Sequence, residues 1–265
     1  MKIFLIGAAL IYVLFVASLF VTQRTLIYFP NNSRPAPVQG AEIIKVTTRD
    51  NQKLESWYFA PKDRTKPVIV FFHGNSGNYG DRLYKVQYYL EAGYGALLAG
   101  YRGYGGNSGD ISEQGFYEDG RAYIDWLMSE KGFQSSEIVI YGESIGSGTA
   151  VQMAVEYNIG GLILEVPFSS LQEIAVKQYP FVPVKYLLKD RFMNIEKIGN
   201  ISAPLIILHG NKDQVIPFYS AEELFKAAKE PKKFINFPDG EHNNLYDFGA
   251  SSHILGFLAG IKAKN

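Results

Sequence analysis

Short apolar runs separated by longer amphipathic stretches dominate the chain from residue 68 onward. Val68–Phe72, Gly95–Ala99, Ile138–Tyr141, Leu162–Glu165, Leu205–Leu208 and Phe234–Phe237 are mostly aliphatic or aromatic. Strands covered on both faces read this way, because neither side of the pleat meets water. The intervening stretches Arg82–Glu91, Gln114–Met128, Gly148–Glu156, Ala221–Lys229 and Ser252–Ile261 fit helices, and the last sets Ile254, Leu258 and Ile261 on one face. Strands alternating with helices predict an α/β fold, a mostly parallel sheet with helices on both faces. Upstream, Glu42–Thr48 and Lys53–Phe59 alternate apolar and polar residues around Arg49-Asp50-Asn51, which predicts a hairpin at an antiparallel edge.

The N-terminus breaks this pattern. Ile3 to Val21 holds no charged residue, and at about 1.5 Å per residue it covers most of a bilayer's hydrocarbon. Lys2 and Gln23-Arg24 frame it, so a single-pass signal-anchor helix is expected. The alternative is a cleaved signal peptide, with small residues at Val16-Ala17-Ser18, but the apolar run continues past that point. Basic residues are nearly balanced across the segment and leave its orientation open. The expected organisation is an anchor over residues 1–24, a Pro-, Asn- and Ser-rich linker over 25–40, and one domain over 41–265 with a cap insertion at about 167–203. A chain starting near Arg24 is expected to keep its chemistry.

Composition narrows the function. The 265 residues carry 26 basic and 26 acidic side chains, so no basic excess draws the protein to nucleic acid. The absence of cysteine from this chain excludes disulfides, thiolate nucleophiles and Cys-ligated zinc within it. No metal cluster is visible, no cofactor is expected, and nothing indicates an oligomeric state.

The densest chemical signal is Gly142-Glu143-Ser144-Ile145-Gly146, between a strand-like and a helix-like run. A serine at such a turn takes a strained backbone conformation, and glycines on either side relieve collisions with neighbouring backbone. A nucleophilic serine needs a base and a carboxylate that orients it. His242 lies in the turn-rich Pro238–Asn244 segment after Phe234–Phe237, and Asp213 follows Leu205–Leu208 in His209-Gly210-Asn211-Lys212-Asp213. All three follow strand ends, where open α/β sheets place their sites, and their order is Ser, Asp, His. Glu165, also at a strand end, is the alternative acid. Asp239 is too close to His242 in sequence to approach it.

With Leu26-Ile27-Tyr28-Phe29-Pro30, His73-Gly74-Asn75-Ser76-Gly77-Asn78 and Tyr101-Arg102-Gly103-Tyr104-Gly105 added to these loops, nearly everything after the first two dozen residues resembles the Bem46-like group of membrane-anchored α/β-hydrolases. The resemblance implies an α/β-hydrolase fold with serine hydrolase chemistry on Ser144, Asp213 and His242. It supplies no substrate. The expected oxyanion donors are the backbone N–H groups of Ile145, beside the nucleophile, and of Asn75, in the loop after Val68–Phe72. The single glycine after His73 departs from the HGGG pattern.

Other polar residues have structural roles as their first explanation. His73 and His209 are expected to bond neighbouring loops, His253 to face solvent, and Arg102 to organise its loop by donating to backbone carbonyls. The glycine-rich stretch 74–80 lacks a P-loop ending, so nucleotide binding is not indicated. The cap segment is rich in large apolar residues, and part of the set Phe168, Tyr179, Phe181, Tyr186, Leu187, Leu188 and Phe192 is expected to line an acyl pocket. The expected activity is cleavage of carboxylic esters or thioesters with an acyl or lipid-like substrate. A peptidase of the same fold and a non-catalytic, partner-binding protein are the alternatives.

Overall fold

The computed structural model describes residues 1–261; the last four residues of the expected domain 41–265 lie outside the described residues. A long helix α1 (Lys2–Ile27) leads into β1 (Phe29–Pro30), the hairpin β2 (Glu42–Thr47) and β3 (Lys53–Phe59), then β4 (Val68–Phe72) and β5 (Ser76–Gly77). Next come α2 (Leu83–Glu91), β6 (Gly95–Ala99), α3 (Glu113–Ser129), β7 (Ile138–Glu143), α4 (Gly146–Glu156) and β8 (Gly161–Glu165). The cap carries α5 (Leu171–Gln178) and α6 (Val184–Leu187), and β9 (Leu205–Gly210), α7 (Phe218–Ala227), β10 (Lys232–Phe237) and α8 (Ala250–Gly260) complete the described fold.

The main sheet has eight strands in the order β10-β9-β8-β7-β4-β6-β3-β2. The β2–β3 and β3–β6 pairs are antiparallel and the remaining pairs parallel, as the hairpin pattern and apolar runs predict. Alternate residues of each buried strand enter two separate cores. Val68, Val70 and Phe72 of β4 join Ile138, Ile140, Leu162 and Leu164 against α3, α4 and α7. Ile69, Phe71, Val139, Tyr141 and Ile163 face the other way, toward Val86 and Tyr89 of α2 and Ile254 and Leu258 of α8. Burial on both faces explains why the strands read as unbroken apolar runs.

The chain runs from β4 outward to β6 on one side, then crosses back to β7 on the other side of β4. The loops after β4 and β7 therefore diverge at the point where strand order reverses, and a crevice opens between them. That topology puts residues 73–78 beside the serine turn.

Arg102 organises its surroundings differently from expectation. Its guanidinium donates to Asp119 through Nε (2.8 Å) and to Asp50 through both terminal nitrogens (2.6 and 2.9 Å), while its backbone N–H donates to Asp119 Oδ2 (2.9 Å). The partners are thus carboxylates from α3 and the β2–β3 turn instead of loop carbonyls. A buried guanidinium needs a neutralising partner, which a carbonyl does not supply. The bond from Arg102 holds the Asp50 carboxyl down at about 2.

The expected linker also departs from a free tether. Phe29–Pro30 pairs in parallel with Ser76–Gly77. Along α1, the partly or fully buried positions after Gly7 are Val16, Leu19, Gln23, Arg24 and Ile27, mostly at helical spacing. Gln23 donates to Leu187 O (3.3 Å) and accepts from Lys189 N (2.7 Å), and Arg24 pairs with the buried Asp190 (2.9 Å). The helix is docked on the cap by these bonds.

Replacing Asp119 by alanine removes the fully buried partner of Arg102 and the acceptor of its N–H. A loss of about 3–5 kcal/mol is expected, read as a lowered unfolding midpoint in denaturant, against less than about 1 kcal/mol for the exposed Asp239→Ala.

Candidate active site

Ser144 sits between β7 and α4 with φ +52°, a conformation few non-glycine residues adopt. The surrounding chain leaves no alternative to glycine at two neighbours. A Cβ on Gly146 would lie 2.2 Å from Phe72 O, and one on Gly142 would lie 2.6 Å from the Ala150 Cβ. The turn is pinned by Ser144 N–H donating to Glu165 O (2.9 Å) and Ser147 N–H donating to Ser144 O (2.9 Å). The side chain therefore stands at the end of the sheet, 8% exposed, at the crevice.

The loops after β9 and β10 bring the other two candidates to it. His242 Nε2 is 3.1 Å from Ser144 Oγ, and His242 Nδ1 is 2.7 Å from Asp213 Oδ2. With Asp213 ionised, Nδ1–H donates to the carboxylate and Nε2 is left to accept from the serine hydroxyl. Asp213 Oδ1 accepts from the backbone N–H groups of Val215 and Ile216, both at 2.8 Å. Burial pushes the Asp213 carboxyl up, but the bond and charge of His242 together with the two amides outweigh it and hold it below its ordinary value.

Glu165, the alternative acid, is turned away. It accepts from Lys85 Nζ at 2.9 and 3.0 Å and from the Tyr141 hydroxyl. Asp239 pairs with Lys212 at the surface (2.6 Å). His73 is buried and kept neutral by burial, its pKa lowered to about 3, with Nδ1–H donating to Gly74 O (2.8 Å). His209 donates through Nε2 to Ile216 O (3.0 Å), and burial lowers its pKa as well. Both thus bond loops, and His253 is exposed.

Beneath the serine lies an ion cluster that sequence reasoning missed. Glu143, directly before Ser144, accepts two bonds from Arg82 (2.9 and 3.0 Å) and lies 3.3 Å from Lys85 Nζ. Lys85 bridges Glu143 and Glu165, which face each other across β7 and β8. Burial opposes ionisation of Glu143, but Lys85 and Arg82 outweigh it and drive its carboxyl far below the usual range. The signal in the sequence was a glutamate inside an otherwise apolar strand, with two cations, Arg82 and Lys85, spaced i and i+3 at the start of the far-upstream α2; only the fold shows that they meet.

Asn75 and Ile145 line the same cavity as Ser144. Among the described residues neither of their backbone N–H groups has an acceptor within the protein. The Asn75 peptide is gripped from behind: its carbonyl accepts from Phe29 N–H (2.9 Å) and the Tyr104 hydroxyl (2.8 Å), and its side chain donates to Ile27 O (3.0 Å). The motifs around Tyr28 and Tyr104 therefore hold the loop beside the serine.

Proteins of known sequence share this framework. The alpha/beta hydrolase fold family matches residues 67–194. An uncharacterized protein of Mycobacterium tuberculosis is 36% identical over 84% of this chain and 81% of its own length. Protein bem46 of Schizosaccharomyces pombe is 30% identical over 85% of this chain and 82% of its own. The chain belongs to the α/β-hydrolase family, in its Bem46-like group. An uncharacterized membrane protein of Saccharomyces cerevisiae is 28% identical over 92% of this chain and 90% of its own. Among solved structures, a Pyrococcus furiosus esterase superposes with a TM-score of 0.72 at 18% identity, covering 87% of this chain and 98% of that one. An acetyl xylan esterase from Paenibacillus sp. R4 gives 0.70 at 19%, covering 94% and 93%. At those identities the likeness shows the hydrolase fold.

The ion cluster carries a pH dependence. Because Glu143 is depressed in the fold, its stabilising contribution is fully present above its unfolded value near ~4.3 and is lost as pH falls toward its folded value. Unfolding midpoints are expected to stay level from pH 7 to about pH 5 and drop below about pH 4. Glu143→Gln should start lower at pH 7 and show a shallower acid decline.

Proposed function

We propose that this protein is a membrane-anchored serine hydrolase that cleaves carboxylic ester or thioester bonds with Ser144 as nucleophile, His242 as general base and acid, and Asp213 as orienting carboxylate. The observation that carries the reading is the unbroken hydrogen-bonded line from Asp213 through His242 to Ser144, opening on a mostly apolar cavity of about 310 Å³.

The chemistry follows from that line. Ser144 Oγ attacks the acyl carbonyl while its proton passes to His242 Nε2, and Asp213 stabilises the imidazolium that forms. The oxyanion accepts from the N–H groups of Asn75 and Ile145, donors that need no reorganisation because the chain already fixes their peptides. Collapse expels the alcohol or thiol, which takes the proton from His242, and leaves an acyl ester on Ser144. Water then attacks, giving its proton to His242, and the carboxylic acid departs as Ser144 recovers a proton. An apolar cavity suits an acyl group. The esterase descriptions of the superposed structures accord with this.

The membrane part of the reading rests on α1, 26 residues long with a mean hydropathy of 2.7 over its most apolar stretch, and on the description of the yeast relative as a membrane protein. At about 1.5 Å per residue it exceeds the ~30 Å of bilayer hydrocarbon.

Ser144→Ala and His242→Ala should each cut p-nitrophenyl ester turnover by ~10⁴-fold or more, with Asp213→Asn less complete, while unfolding midpoints show that each variant remains folded. A fluorophosphonate probe should label Ser144 alone. Label that persists in Ser144→Ala, or preferential turnover of peptidyl anilides over esters, would overturn the assignment. On fractionation, the full chain should remain in the membrane pellet through carbonate washing; release into the supernatant would refute the anchor.

A further inference from the structure

The cavity at Ser144 has an unusual wall. One side is the cap, through Phe168, Leu171, Ile174 and Leu187, and the opposite side is α1, through Val16, Leu19, Phe20, Gln23 and Ile27. Those α1 positions fall on a single face of the helix. Of the cap residues expected in an acyl pocket, Phe168, Tyr179, Leu187 and Leu188 line the cavity. Phe192 instead packs inward against Phe168 and Tyr117, and Phe181 and Tyr186 point outward, 86% and 85% exposed.

Resting on the hydrolase reading above, we infer that α1 is a wall of the acyl site as well as a tether, and that a membrane-resident acyl ester reaches Ser144 sideways from the leaflet, its chain lying between α1 and the cap. Depth is the first argument. Tyr12 donates to Phe181 O (2.7 Å), and Gln23 bonds Leu187 and Lys189. Tyr12 and Gln23 are three turns apart, about 16 Å along the helix. With Ile3–Val21 across the hydrocarbon, Tyr12 lies near its midplane, so the cap edge at Phe181 and Tyr186 is immersed in the leaflet nearest the domain. Aromatic side chains that open to water would be costly, and in lipid they are at home.

The second argument is the seam itself. The α1–cap junction is held at polar points, Tyr12 at one end and Gln23 with the Arg24–Asp190 pair at the other, and between them lies the cavity instead of tight packing. A void between two apolar surfaces forfeits dispersion contacts, so filling it with an alkyl chain is favourable. Leaflet lipids border this seam, and an acyl chain entering there exchanges one apolar environment for another without crossing water. The carbonyl at its head then arrives at the serine near the helix's C-terminal end, where Ile27 and Phe29 hold the Asn75 loop.

The test uses the full chain in phosphatidylcholine nanodiscs. Val16→Trp and Leu19→Trp put bulk into the cavity, whereas Leu14→Trp lies on the opposite, lipid-facing side of α1. The palmitate-to-acetate ratio of kcat/KM for p-nitrophenyl esters should fall at least tenfold in the first two and change less than twofold in the third. A chemistry-independent arm uses Ser144→Ala protein with palmitic acid carrying a terminal diazirine. Photolysis should leave adducts on the cavity faces of residues 16–27 and 171–188, and adding Val16→Trp should remove them. Unchanged ratios in both cavity variants, with adducts only on the lipid-facing side of α1, would overturn the inference while the esterase reading stands. Adducts in the cavity without turnover of any ester would sustain α1 as an acyl-binding wall and sink the hydrolase reading instead.

Discussion

Everything at the site depends on how closely the serine turn approaches the end of β4. Gly146 lies so near Phe72 O that no side chain fits between them, and this contact fixes Ser144 in its left-handed conformation directly above the sheet. The strain of such a residue, about 1–3 kcal/mol, persists only where the surroundings leave no way to relax it. Here β7 is buried between β4 and β8, the Ser144 N–H is bonded to Glu165 O, and α4 begins at once. The serine is a fixed point to which the later loops bring Asp213 and His242.

Beneath it, the buried Glu143, Glu165 and Lys85 and the half-buried Arg82 form a cluster with no net formal charge. Glu143 and Glu165, side by side on neighbouring strands, would repel each other without Lys85 between them. Removing one member of such a cluster leaves an unmatched buried charge. The cluster joins α2 to the two strands that carry the turn, and Arg82 also lies beneath Gly74, next to the loop of Asn75. The same ions therefore support both sides of the crevice from below, as the β1–β5 ladder and Tyr104 support the Asn75 side from above.

The N-terminal helix α1 adds a constraint that the sheet and cap alone would lack. A helix that merely tethered a domain would leave its apolar surface to lipid all round. This one presents Val16, Leu19 and Gln23 to the cap and closes the site's cavity. Shortening the chain to Arg24, which from sequence alone looks harmless, removes that wall and the Gln23 bonds to the cap.

The sequence by itself determined the order of strands and helices, the both-face burial of the parallel strands and the serine, aspartate and histidine loops, because each is written locally: in apolar runs, in glycine spacing, in turn residues after strands. It also determined that the first helix is apolar enough to span a bilayer. Only the tertiary structure decided what depends on contacts between distant segments. Arg102 looked like a loop donor until Asp50 and Asp119 met it from elsewhere in the chain. Glu165 was a credible acid until Lys85 held it on the far face of the sheet. Phe181, Tyr186 and Phe192 were indistinguishable from Phe168 and Leu187 by composition, and only the turn of the cap sorted them outward, inward or into the cavity. Apolarity says that a side chain avoids water; which apolar surroundings it finds, core, cavity or lipid, is fixed by the packing of segments far apart in sequence.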